Sequence, residues 1–317
     1  MTKKSIAILH GKEGAFPYDL LAYIEDNAPK NISVERLDIG AVASSDIFHY
    51  DVIIDRISHC IPFYREVMKH AFLYNSYVIS NPFRTNPEKF FANTLALRLS
   101  IDVPETILLP SKEWPDFVEN GDLTNLKYPL DWDELLNKIG FPAVLKPVFG
   151  GGWRNVNIVN NKEEFLYYYD KSGKTLMMLQ EYIHYSKYIR TFVIGKKYIK
   201  HSLFDPGHKQ EPSLTPYPKG NISLELQLEN KITQDSKRLC QALDYDVNTI
   251  EWAIKDGRAY AIDFCNQVPD ARQKIINSEN YNWLVKNLGD FAIESSLDKC
   301  VINTWKSLSE EMLKLLS

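Results

Sequence analysis

Residues 5–9, SIAIL, are a short continuous apolar run of the kind a buried strand makes. DLLAYIEDN (19–27) then carries apolar positions at helical spacing, and ISVERLDI (32–39) alternates apolar and polar as a half-buried strand does. YDVIIDRIS (50–58) predicts another strand, Pro62 opens a helix over FYREVMKHAFLYN, and YVISNP (77–82) closes the region as a strand. Strands alternating with helices predict an α/β unit with a parallel sheet over residues 1–84.

Beyond it, Asn86 is placed to cap a helix with Pro87 at its first position. Lys89 then falls in the first turn, the positive end of the helix dipole, where a lysine is either solvated or set to meet an anion. Residues 111–130 predict an irregular surface insertion, and Asp131, Gly140 and Pro142 punctuate a helix. AVLKPV (143–148) and VNIV (156–159) predict strands and KEEFLYYY (162–169) a helix. LMMLQEYI (176–183) predicts a strand running into a connection, and YIRTFVIGKKYIKHSLF (188–204) two strands around Gly195-Lys196. A long loop over 205–221, a helix over 233–245, a hairpin around Asp256-Gly257 and helices over 280–294 and 300–316 complete the chain.

Composition narrows the classes. The 317 residues allow two or three compact units, and 44% hydrophobic with 25% charged residues is ordinary for a soluble protein. A net charge of −4 argues against nucleic acid as a general partner. Cys60, Cys240, Cys265 and Cys300 form no CxxC pair and read as core filler. The N-terminal apolar run IAIL is too short for a signal peptide or a membrane span, so a cytoplasmic protein with no membrane partner is expected.

Three stretches carry candidate chemistry. AVLKPVFGGGWRNV (143–156) contains neither GxxxxGK[ST] nor GxGxxG. It does place Lys146 on a strand ahead of Gly150, Gly151 and Gly152, whose bare backbone can approach a ligand and cradle phosphate oxygens. The competing reading is a strand end and a tight turn. The hairpin brings Glu251, Asp263 and Asn266 into one region, and two carboxylates with an amide oxygen are hard ligands suited to Mg²⁺. A two-residue turn at Asp256-Gly257 would set Glu251 opposite Ile262 and send Asp263 to the other face. A shared metal therefore demands an odd-length connection or a bulge within the hairpin. LQEYIHYSKYIRTFVIG (179–195) offers an extended segment to a purine edge, then Arg190 among Ile and Phe. Such an arginine calls for an anionic partner, either a ligand or an internal salt bridge.

In this order the pieces resemble the ATP-grasp superfamily, over roughly residues 78–295. They are closest to its glutathione-synthetase-like branch, which includes the ribosomal-protein glutamate ligases. The strings YDVIIDRIS…PFYR, NPF…EKFFANTLALRL and YAIDFCNQVPDA are similar to a bacterial ATP-grasp group. The resemblance implies an α/β (α+β) fold. It would comprise an N-terminal domain (1–84), a central lobe with the glycine flap (85–179) and a C-terminal lobe with the metal hairpin (180–317). It further implies that Lys89 and Lys146 contact ATP phosphates under a flap at 149–155, and that Gln180, Glu181 and Ile183 meet the adenine. Glu251, Asp263 and Asn266 would hold one or two Mg²⁺, or Mn²⁺. Arg190 would face the substrate carboxylate or acyl phosphate.

Two departures stand out. The family's metal strand ends acid-x-Asn, whereas here the text is DFCN. Tyr188 stands where relatives often carry a ribose-binding acid, which would shift that contact to a neighbour such as His184 or Lys187. Arg56, Arg190 and Arg272 are candidate anchors for a small-molecule or peptide carboxylate. Arg65 reads as a surface ion pair, and His201 and His208 as exposed histidines flanking the 205–221 loop. The implied activity is an ATP-dependent carboxylate–amine ligase working through an acyl phosphate. The alternatives are a non-ligating ATP-binding regulator of the same fold and a small-molecule kinase. Relatives form dimers or tetramers, so a homo-oligomer is compatible with the resemblance.

Overall fold

The computed structural model describes residues 2–84, 88–119, 121–127, 129–209, 216–218, 220 and 222–298. The expected cap at Asn86-Pro87, Cys300 and the expected helix over 300–316 lie outside them.

The N-terminal unit runs β1 (Lys4–Leu9), α1 (Phe16–Asn27), β2 (Ile32–Arg36), β3 (Val52–Asp55), α2 (Pro62–Leu73) and β4 (Tyr77–Ile79). Its strands pair in parallel in the order β2-β1-β3-β4. Alternation divides β1 between two cores: Ile6 and Ile8 pack with α1, while Ala7 and Leu9 pack with α2. Burial on both faces is why this strand reads as a continuous apolar run.

α3 (Lys89–Arg98), β5 (Thr106–Leu109), α4 (Trp132–Ile139), β6 (Ala143–Pro147), β7 (Asn157–Val159), α5 (Lys162–Asp170) and β8 (Met177–Glu181) follow. A second sheet forms in the order β5-β8-β6-β7, all antiparallel. The Asp131 carboxylate caps α4 by accepting from the Glu134 N–H at 3.0 Å, and Gly140 ends it at φ 77°. Ala143 and Leu145 pack with α4 and α5, so Val144 and Lys146 face the other way.

The third sheet is β10-β9-β11-β12, antiparallel. It is built from β9 (Lys187–Ile194), β10 (Tyr198–Leu203), β11 (Val247–Lys255) and β12 (Arg258–Asp263). Ile189, Val193, Ile250 and Trp252 pack under α6 (Leu226–Leu243) and α3. Tyr188, Phe192 and Ala253 share the opposite face. α7 (Ser278–Leu297) returns to lie against α1, and the two approach so closely that a Cβ on Gly289 would sit 2.4 Å from the Tyr23 ring. The mixed α/β class expected from the sequence is the one observed.

Several local expectations change. Arg190 lies mid-strand in β9. Cys60 is exposed, so only Cys240 among the described cysteines is fully buried filler. His201 is not an exposed loop residue: it sits in β10, hydrogen-bonded to the Thr191 and Thr233 hydroxyls at 2.8 and 2.9 Å. The side chain of His208 lies outside the described residues. No helix among the described residues is long and apolar enough to cross a membrane.

Candidate active site

One face of the second sheet and part of one face of the third border a cavity of about 700 Å³. Lys146, Gln180 and Glu181 reach it from the second sheet, and Arg190, Thr249, Glu251 and Asp263 from the third. Lys89, Ile183, Asn266 and the glycines of the 148–156 loop complete these walls, and His59 and Cys60 join from the N-terminal unit.

Lys146 is 6% exposed, and its Nζ donates to the Ile262 carbonyl at 3.3 Å. Burial depresses its pKa, opposed by the nearby Asp263 carboxylate and reinforced by Lys89. Lys89 does begin its helix, and its ammonium donates to the Gly150 carbonyl, tying α3 to the flap. Gly150 and Gly152 have φ of 91° and 71°. A Cβ there would touch nothing within 4 Å, so glycine is required for backbone conformation and not for space.

The hairpin resolves the facing problem in one of the two ways its sequence allows. Its connection is the two-residue turn that Asp-Gly signals, with Asp256 and Gly257 at φ 50° and 74° and Lys255 paired with Arg258. Trp252 pairs with Ala261, but Glu251 pairs with Asp263, so a bulge absorbs Ile262. The bulge turns both acids to the cavity and frees the Ile262 carbonyl for Lys146.

Arg190, Glu251 and Asp263 therefore form a row across three adjacent strands. The Arg190 guanidinium pairs with Glu251, donates to the Tyr217 hydroxyl at 3.0 Å and lies over the Phe204 ring at 3.7 Å. Burial works against its charge, but Glu251 overrides this and the pKa is raised. Tyr188 donates to Glu251 Oε2 at 2.9 Å, and burial pushes its phenol far up, so it stays a neutral donor. The Asp263 carboxylate accepts no hydrogen bond among the described residues. Cys265 also lines the cavity, its thiol pushed up to about 12 by burial.

Two predicted anchors are not brought here. Arg56 is 5% exposed, held by Glu13 at 2.7 Å and the Pro269 carbonyl at 2.9 Å, and stacked on Phe16. Arg272 pairs with Asp270. Neither lines the cavity. Arg65, read as a surface ion pair, instead donates weakly to the Ser58 and His59 carbonyls.

Arg154, His59 and Cys60 are cavity residues that sequence reasoning missed. Arg154 is exposed on the flap without an ion pair among the described residues, two positions past the last glycine. Burial lowers the pKa of His59 and keeps it neutral. Its loop placement had no periodic signal. Among the described residues no group of three or more His, Cys, Asp or Glu could hold a metal. Any cation here would need the amide as well as the two acids.

No family model matches the chain. A D-alanine–D-alanine ligase A of Bacillus cereus is 28% identical over 197 residues, 58% of this chain and 63% of that protein. The chain spans less than two thirds of the length of the curated relatives it matches. The D-alanine–D-alanine ligase of Coxiella burnetii superposes over all of both chains, with a TM-score of 0.64 and 14% identity. The ATP-grasp ligase PsnB, in complex with a minimal precursor, Mg and ADP, covers 94% of this chain and is itself covered completely. Its TM-score is 0.58 and its identity 12%. These whole-chain matches establish the fold.

Proposed function

We infer that this chain, which has the ATP-grasp fold, is an ATP-dependent carboxylate–amine ligase working through an acyl phosphate. The observation that carries the reading is convergence: two lysines from separate elements, a glycine flap and a carboxylate pair border one cavity.

Lys89 and Lys146 neutralise the phosphates, with Arg154 adding charge from the flap. Gln180, Glu181 and Ile183 line the adenine end. The donor set fits a hard divalent cation: the unpartnered Asp263, the adjacent Glu251 and the Asn266 amide are all oxygen donors. When bound, Mg²⁺ supplies charge neutralisation between acids and phosphates. The substrate carboxylate attacks the γ-phosphorus, the bond from phosphorus to the bridging oxygen breaks, and ADP departs. An amine then adds to the acyl carbon, loses a proton and expels phosphate. Arg190, released from part of its contact with Glu251, stabilises the negative charge that develops at the acyl phosphate. The closed flap keeps water from that intermediate. Arg56 and Arg272 lie outside the cavity, so Arg190, which lines it, is the carboxylate anchor.

ADP and phosphate release, measured over pools of amino acids and peptides, tests this reading. Amine- and carboxylate-dependent release of both products is expected. ADP with a stable phosphorylated product would make it a kinase. Tight nucleotide binding without any turnover would make it a regulator.

A further inference from the structure

Past β12 the chain leaves the regular ladder a second time. With Asp263 opposite Glu251, plain alternation would place residue 265 opposite Thr249. Instead the Thr249 N–H donates to the Asn266 carbonyl at 3.1 Å. One more residue has been absorbed between 263 and 266, which returns Asn266 to the cavity wall.

Asn248, 1% exposed, supports this departure from the ladder. Its Nδ2 donates to the Phe264 carbonyl at 2.8 Å, and its Oδ1 accepts from the Asn266 N–H at 2.9 Å. One buried side chain thus satisfies two backbone groups that the bulge takes out of register. Thr249 then orients the amide: its hydroxyl accepts from Asn266 Nδ2 at 2.7 Å. Asn266 Oδ1 accepts nothing among the described residues, so the ligating atom is the one left free. An amide nitrogen cannot coordinate a hard cation, so this orientation decides whether Asn266 can ligate at all.

We propose that Asn248 and Thr249 are positioning residues of the metal site. Asn248 sets the bulge that brings Asn266 to the face of the two acids, and Thr249 locks its amide oxygen toward the cation. This rests on the reading of Glu251, Asp263 and Asn266 as metal ligands.

The test is Mn²⁺ titration of the full chain with ADP, followed by electron paramagnetic resonance, with metal-free ADP affinity measured in parallel. Thr249→Val keeps the shape and removes the hydroxyl. It should weaken Mn²⁺ binding roughly tenfold or more, the range typical of residues behind metal ligands. Thr249→Ser should restore binding to within about threefold, since the acceptor returns. Metal-free ADP affinity should fall far less than Mn²⁺ affinity, a split that general loosening of the fold would not give. Wild-type Mn²⁺ affinity in Thr249→Val, or a Ser variant as weak as the Val variant, overturns the proposal. Asp263→Asn separates the two layers. If it abolishes Mn²⁺ binding while Thr249→Val does not, the metal reading stands and the positioning role falls. If the wild type binds no Mn²⁺ with ADP, both fall.

Discussion

Replacing Lys146 with methionine should separate the cost of a buried charge from its use. The Nζ makes one hydrogen bond among the described residues, a 3.3 Å contact to a carbonyl, and no ion pair. Methionine keeps the length and removes the charge, so the nucleotide-free protein should melt no lower than wild type. Nucleotide binding should fall. Losing one partner of a buried charge contact typically weakens binding by about 3 kcal/mol, or roughly a hundredfold. At a concentration of Mg²⁺ and a non-hydrolysable ATP analogue near 100 times the wild-type Kd, wild type gains about 2.7 kcal/mol. The variant, at its own Kd, gains about 0.4 kcal/mol. With about 2–4 °C per kcal/mol, wild type should shift by about 5–11 °C and the variant by about 1–2 °C. Scanning calorimetry with and without nucleotide reads both quantities. The pH dependence adds a check. The folded-state pKa of Lys146 lies below the unfolded value, so between the two the unfolded chain binds more protons. Wild-type stability should therefore rise relative to the variant as pH climbs from 7 toward the ordinary lysine range. A variant that melts well below wild type without ligand, or that keeps the full nucleotide shift, refutes the reasoning.

Glu251→Gln should destabilise the protein by about 2 kcal/mol, because it removes the anionic partner of the partly buried Arg190 guanidinium. Adding Arg190→Met should recover much of that loss in a denaturant titration, and an additive result would contradict the pairing. Gly152→Ala forces an L residue to φ 71°, so urea unfolding should show a loss of about 1 kcal/mol, with a slower turnover from the stiffened flap. Gly289→Ala pushes a methyl to 2.4 Å from the Tyr23 ring, so a loss of about 1–3 kcal/mol is expected with unchanged nucleotide affinity by calorimetry. A change in affinity would mean that the α1–α7 contact reaches the site.

Local pattern was enough for the turn and for most of the described strands and helices, though not for β5. SIAIL reads as buried because both faces of β1 are covered, and Asp256-Gly257 reads as a tight turn because both residues take positive φ. Lys89, Lys146 and the three glycines could be marked as cavity candidates because each lies where its own element puts it. That a bulge is needed to set Asp263 beside Glu251 was legible, but its place was not, since it depends on two absorbed residues and on Asn248, 16 positions from the carbonyl it holds. Arg56 looked like a free cation until the fold set Glu13, 43 positions away, against it. Arg154 and His59 reached the cavity only once loops had been laid over sheets. Secondary structure is written in spacings of two to four residues and can be read along the chain. Register slips, ion pairs between elements and the lining of a cavity arise from contacts whose partners are distant in sequence, and only packing decides them.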